Sequence, residues 1–153
     1  MKSISSNVPL NILLADDDKD DRYFFEKALR SVPIQALLTT VNDGAQLMKY
    51  LFANTDNLPD VLFLDNNMPR KNGAECLVEI KRDEKLKKIP VIICSTSLGD
   101  DFANELYDNG AHYYLHKCDF PELIKCIQMA LEFLEKNPYQ PARGKFMLNL
   151  QEV

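Results

Sequence analysis

Residues 12–18 read Ile12-Leu13-Leu14-Ala15-Asp16-Asp17-Asp18, an unbroken apolar run that stops on three aspartates. A short run without polar alternation predicts a strand covered on both faces, as in a parallel sheet, because a strand with one wet face would alternate. Four further runs share this character: Ala36-Leu37-Leu38-Thr39-Thr40-Val41, Val61-Leu62-Phe63-Leu64, Val91-Ile92-Ile93-Cys94 and Tyr113-Tyr114-Leu115. Segments of helical spacing lie near 18–31, 43–53, 73–83, 100–109 and 120–136. Strand and helix therefore alternate five times.

Such alternation predicts an α/β architecture with helices on both faces of a parallel sheet, and right-handed crossovers leave few topologies. Five strands fit the flavodoxin-like doubly wound order 2-1-3-4-5, in which the first and third strands are neighbours and ligands bind at the carboxyl ends. Helix-start signals agree. Asp43 and Asn72 are suited to cap the second and third helices, Asp119-Phe120-Pro121-Glu122 is a capping-box pattern, and Gly110 is placed to stop the fourth. The fifth helix has a sheet-facing stripe of Leu123, Ile124, Ile127, Ala130, Leu131 and Leu134. A second stripe, Cys126, Met129 and Phe133, calls for cover from another element or a partner.

A chain of 153 residues, 46% hydrophobic and 27% charged, has the balance of one soluble domain able to fold without disulfides. The organisation expected is a segment 1–10, a domain 11–136 and a tail 137–153. In that tail Phe146, Met147, Leu148 and Leu150 are expected to pack on the last helix or to join a homodimer contact there, the alternative being a frayed terminus. The net charge of −5 speaks against direct nucleic-acid binding. The apolar runs are too short to span a membrane, and Met1–Leu14 does not resemble a secretion signal. Cys76, Cys94, Cys118 and Cys126 form no metal-finger or C-x-x-C spacing and read as reduced, packed thiols of a cytoplasmic protein. His112 and His116 lie about 13 Å apart in an extended segment, too far to share a metal.

The strand ends carry the chemistry. The first ends in Asp16-Asp17-Asp18, the third in Asp65, the fourth in Ser95-Thr96 and the fifth in Lys117. Singly, each has a plain reading: a solvated helix start, a turn residue, a loop start, a surface lysine. The topology brings all four to one sheet edge. Carboxylates about 5 Å apart repel by about 3 kcal/mol per pair at an effective dielectric near 20, so a cation must join them. Lys117 supplies one charge, and an all-oxygen donor set without His or Cys suits Mg²⁺. A carboxylate beside Mg²⁺ and lysine is equipped for phosphoryl transfer, with Asp65 as nucleophile.

From Ile12 to about Lys136 the sequence resembles a response-regulator receiver domain of two-component signalling. The matching pieces are Ile12–Asp17, Leu64-Asp65-Asn66-Asn67-Met68-Pro69 with Asn72-Gly73, Ile93-Cys94-Ser95-Thr96 and Tyr113-Tyr114-Leu115-His116-Lys117. The Val41–Gly44 and Tyr50-Leu51 segments look most like stand-alone receivers paired with cyanobacterial-type phytochrome kinases. The resemblance implies Asp65 as phosphoryl acceptor, and Asp16, Asp17, Asp65 and the Asn67 carbonyl as Mg²⁺ ligands. It implies Ser95 and Lys117 as phosphoryl contacts and Tyr114 as a switch aromatic. It also implies a histidine kinase or phosphotransfer protein as donor. The readout would be a protein target, or a second copy, at the fourth helix, fifth strand and fifth helix. The sequence departs from the pattern at Cys118, where receivers carry a cis proline. A cis bond before a non-proline costs about 2.5–4 kcal/mol, which puts the aim of Lys117 in question. Two other readings follow: a pseudo-receiver that acts as a phosphorylation-independent interaction module, and a Mg²⁺-dependent phosphohydrolase using the same aspartate.

Overall fold

The computed structural model describes residues 2–4, 7–96 and 99–148. The strands are β1 (Leu10–Ala15), β2 (Ala36–Val41), β3 (Val61–Asp65), β4 (Val91–Ser95) and β5 (Tyr113–His116). They form one parallel sheet in the order β2-β1-β3-β4-β5, as the alternation predicts. The helices are α1 (Lys19–Arg30), α2 (Gly44–Ala53), α3 (Gly73–Arg82), α4 (Asp100–Asp108) and α5 (Phe120–Lys136). β1 starts two residues before the apolar run because Leu10 and Asn11 pair with Ala36 and Leu37. Helices α1, α2, α3 and α4 are shorter than their predicted spans by the residues that serve as caps.

In β1, β3, β4 and β5 period-two alternation sorts the residues onto two covered faces, which is why those runs are apolar, whereas β2, expected to be covered on both faces, is an edge strand exposed at Leu37, Thr39 and Thr40. Leu13, Ala15, Leu62, Leu64 and Ile93 pack with α2, α3 and α4 on one side. Ile12, Leu14, Phe63 and Ile92 pack with α1 and α5 on the other. Phe63, fully buried, meets Phe25 of α1 edge to face at 4.9 Å. A side chain of that size contributes about 1.5–3 kcal/mol by leaving water. The second stripe of α5 is covered at Cys126 and Met129, while Phe133 stays 38% exposed against Tyr113.

The caps aim the loops. Asp18 accepts from the Asp20 and Asp21 amides, Asp43 from Gln46, and Asp119 from Glu122. The reciprocal capping box forms between Asn72 and Glu75. Gly110 ends α4 at φ +98°, a conformation that costs other residues about 1–2 kcal/mol. His112 is buried; its Nδ1 accepts from Val91 N–H and its Nε2 donates to the Pro138 carbonyl. Burial pushes its pKa down to about 4. His116 instead touches the Thr96 carbonyl, so the two histidines have separate partners.

After α5 the chain crosses to the β5 edge. Tyr114 N–H donates to the Phe146 carbonyl and Leu148 N–H to the Tyr114 carbonyl, a parallel bridge that extends the sheet by one short segment. Phe146 is buried against Tyr107 of α4 and Tyr114, and Leu148 packs on the α1/α5 side. Leu150 lies outside the described residues.

Gly73 sets the entry to α3 beside Asp65. A Cβ there would lie 2.7 Å from the Asp65 carbonyl oxygen and 2.8 Å from the Asn66 Cα, both backbone atoms that cannot step aside. Gly73→Ala is expected to lower unfolding free energy by about 1–3 kcal/mol in urea denaturation. Gly144→Ala, where a Cβ meets nothing within 4 Å, is expected to stay within about 0.5 kcal/mol.

Candidate functional site

The parallel order leaves the carboxyl ends of β1, β3, β4 and β5 on one edge. Asp16 follows β1 directly and is tied to the neighbouring strand through its N–H to the Val41 carbonyl, 3.1 Å. Asp65 is the last residue of β3 and Ser95 the last of β4. Lys117 follows β5, its N–H donating to the Ser95 carbonyl at 2.9 Å. Asp16, Asp65 and Ser95 are buried, Asp17 is exposed and Lys117 is partly buried.

Lys117 Nζ lies 3.3 Å from Asp65 Oδ1, 3.5 Å from Asp16 Oδ2 and 2.9 Å from Asp21 Oδ2. The lysine reaches the acids although no described peptide bond is cis, the Lys117–Cys118 bond included. Its aim therefore does not depend on the proline that Cys118 replaces. Burial works against the Lys117 charge, but the hydrogen bond to Asp21 and the charges of Asp16, Asp65 and Asp21 outweigh it and hold the ammonium above its ordinary range.

The buried acids are shifted upward as well. Burial, and then the Asp65 charge, push Asp16 up to about 6 against the pull of the Asp18 N–H and Lys117. Burial likewise raises Asp65, while Lys117 and the Asn67 N–H at 3.2 Å hold it down. Carboxylate oxygens of Asp16, Asp17 and Asp65 all lie within 4.8 Å of one another. Three hard oxygen donors, two of them desolvated by burial, suit a divalent cation that keeps some of its water.

Asn67 places its backbone N–H on Asp65, while the neighbouring Asn66 side chain accepts from Ala74 N–H and ties the loop to α3. Tyr114 is buried, with its side chain hydrogen-bonded to that of Ser95. Between α1 and α5 a cleft of 260 Å³ opens onto Asp16, Asp65 and Lys117, walled by Phe24, Phe120 and Leu123. Asp65 thus borders open space although it is 2% exposed. Burial pushes the Cys118 thiol up to about 12, so it is not a thiolate at neutral pH.

Sequence reasoning missed Asp21, the shortest of the three Lys117 contacts. The available signal was its place one turn beyond Asp17 and Asp18, which turns it toward the same edge; it was absorbed into the reading of a solvated helix start. Arg22 was also missed. Its guanidinium donates to the Asp16 carbonyl at 2.8 Å and steadies the acidic loop.

A five-stranded doubly wound sheet with two acids after β1, an acid on β3, a hydroxyl on β4 and a lysine after β5 defines a receiver. The family profile of the response regulator receiver domain matches residues 12–128, and the chain belongs to that family. It is 34% identical over 132 residues to the response regulator Rcp1 of Synechocystis, covering 82% of this chain and 89% of that protein. The crystal structure of the phosphorylated cyanobacterial phytochrome response regulator RcpA is 34% identical with a TM-score of 0.74, covering 82% of this chain and 94% of that one. The Mn²⁺-bound form of Rcp1 is 32% identical with a TM-score of 0.75, covering 88% of this chain and all of that one. Among the described residues no helix is long and apolar enough to cross a membrane.

The raised acids make a signed prediction. A carboxyl held above its unfolded value stabilises the fold while protonated, and that stability is lost as pH rises through the folded value, about 6 for Asp16. Without metal, stability is expected to fall between about pH 4 and pH 7, and Asp16→Asn to raise it at pH 7.5 by about 1–3 kcal/mol. The gain should vanish near pH 4, as read by thermal denaturation in chelator.

Proposed function

We propose that this protein is a single-domain response regulator that accepts a phosphoryl group on Asp65 from the phosphohistidine of a sensor kinase or phosphotransfer protein, with Mg²⁺ required. The observation that carries this reading is the convergence of Lys117 Nζ on Asp65 and Asp16 beside a third carboxylate within 4.8 Å. Asp16, Asp17, Asp65 and the Asn67 backbone carbonyl are the residues to hold the metal. When bound, it supplies positive charge that keeps the acids ionised and offsets charge on the transferred group.

The donor imidazole enters through the cleft between α1 and α5. An Asp65 carboxylate oxygen forms the new P–O bond as the P–N bond of the donor breaks. Lys117 is already held beside Asp65 and moves its ammonium onto a phosphoryl oxygen. Ser95 donates its hydroxyl to another. Positioning and charge are nearly all such a step requires of a protein. The product adds a charge of about −1.5 to −2, by analogy with other phosphorylated side chains. It draws Ser95 and Lys117 inward, favours the inward position of Tyr114 and shifts an existing equilibrium at the surface of α4, β5 and α5. The protein works in the cytoplasm and hands the signal to a protein target.

The pseudo-receiver reading rested on Cys118 misdirecting the lysine, and the observed contacts of Lys117 remove that support. Incubation with acetyl phosphate and Mg²⁺ is expected to add one phosphoryl group by intact mass. Asp65→Asn or chelator should abolish the addition, and hydroxylamine should reverse it. An Asp65→Asn protein that still gains the label would refute the acceptor assignment.

A further inference from the structure

Residues 138–148 are fastened to β5 and α4 by a series of specific contacts. Gln140 Nε2 donates to the Tyr107 and Ala111 carbonyls at 2.6 and 2.9 Å. Tyr107 hydroxyl donates to the Pro141 carbonyl at 2.6 Å, and His112 holds the Pro138 carbonyl at 3.2 Å. Arg143 donates to Asn104 and Asp108 of α4 and lies 4.5 Å over the Tyr107 ring. These contacts press Phe146, 2% exposed, between Tyr107 at 5.4 Å and Tyr114 at 6.3 Å, ring to ring. The backbone of Tyr114 is clasped from both sides, by the Phe146 carbonyl and the Leu148 N–H.

Tyr114 thus has two neighbours of different kind. Its ring is walled in by the tail, and its phenol group reaches Ser95 at the phosphoryl site. A serine hydroxyl can accept from the tyrosine and still donate its own proton. With Tyr114 inward the two side chains are paired, and a serine in such a pair keeps the capacity to donate to a phosphoryl oxygen.

We propose that residues 138–148 act as a latch that holds Tyr114 inward and so raises the affinity of the Asp65 site for a phosphoryl group, through the chain Phe146–Tyr114–Ser95. The proposal rests on the reading of Asp65 as acceptor and adds a second ligand to it, the protein's own tail. Because a coupling between two sites is reciprocal, occupation of the Asp65 site must tighten the tail to the same degree. A downstream partner that competes for the β5 edge would loosen the latch and lower that affinity in turn.

Beryllofluoride with Mg²⁺ serves as the phosphoryl mimic, its binding followed by fluorine NMR on the full-length protein. Phe146→Ala is expected to weaken adduct affinity by about 5-fold or more. Arg143→Ala, which removes the exposed contacts to Asn104 and Asp108 and the cover over the Tyr107 ring while leaving Phe146 in place, should weaken it in the same direction by about 2-fold. In the wild type, the adduct should slow hydrogen exchange at the Leu148 amide. Unchanged or tighter binding in a folded Arg143→Ala and Phe146→Ala pair, with Leu148 exchange indifferent to the adduct, would overturn the latch and leave Asp65 as acceptor. No adduct on the wild type would overturn both.

Discussion

Like-charge repulsion at one sheet edge is the constraint on which the rest of this structure depends. Three carboxylates within 4.8 Å cannot all ionise without a counter-charge, and the cation nearest them comes from a strand two places away. Neighbouring strands are about 4.8 Å apart, so Lys117 must cross the end of β4 to reach Asp65. It does so because the loop after β5 is pinned to β4 through the Ser95 carbonyl, and because β4 ends on a short side chain. The strand order, the small residue at 95 and the lysine at 117 form one solution to one electrostatic problem. The solution is incomplete, since Asp16 and Asp65 stay raised with Lys117 in place. The remaining deficit of positive charge suits the site to a divalent cation.

Strands β1, β3, β4 and β5 were legible in the sequence because both of their faces are covered, which favours apolar runs with polar residues at the ends; β2 was legible from its place in the strand–helix alternation, since its edge position leaves Leu37, Thr39 and Thr40 exposed. The helix starts were legible because Asp18, Asp43, Asn72 and Asp119 carry their caps in side chains whose chemistry is local. Acids, hydroxyl and lysine could be gathered from strand ends alone, since parallel topology fixes which ends meet. Asp21 could not be told from its acidic neighbours on those grounds, because its partner is 96 residues away and only the turn of α1 aims it. The tail was illegible for a related reason. Phe146, Met147, Leu148 and Leu150 form a short apolar run, and nothing local states that Phe146 inserts beside Tyr107 and Tyr114 rather than on α5.

Cys118 shows how a departure from a familial pattern can be absorbed. The Asp119 cap fixes the start of α5, and the Lys117 N–H is fixed to Ser95, so both ends of the short connection are set by hydrogen bonds. Between two such anchors a trans peptide delivers the lysine to the same acids. The direction of Lys117 belongs to the loop's anchors and to the field of the carboxylates, and the residue following it has room to vary.

The two edges of the sheet differ in a way that bears on function. At β2 the edge is open, with Leu37 60% exposed and, among the described residues, no segment laid along it. At β5 the chain supplies its own extra segment, closing two backbone bonds that an edge strand would otherwise leave to water or to another chain. Sheltering an edge needs only backbone pairing. Here the sheltering segment also drives a buried aromatic against Tyr114 and clamps α4 with an arginine, contacts that protection of the edge does not require. Those additional contacts fall on the residues that connect the surface of α4 and β5 to Ser95. The packing around Tyr114 is therefore a property of the chain through residue 148, and a domain cut at the end of α5 would lack the Phe146 and Arg143 contacts.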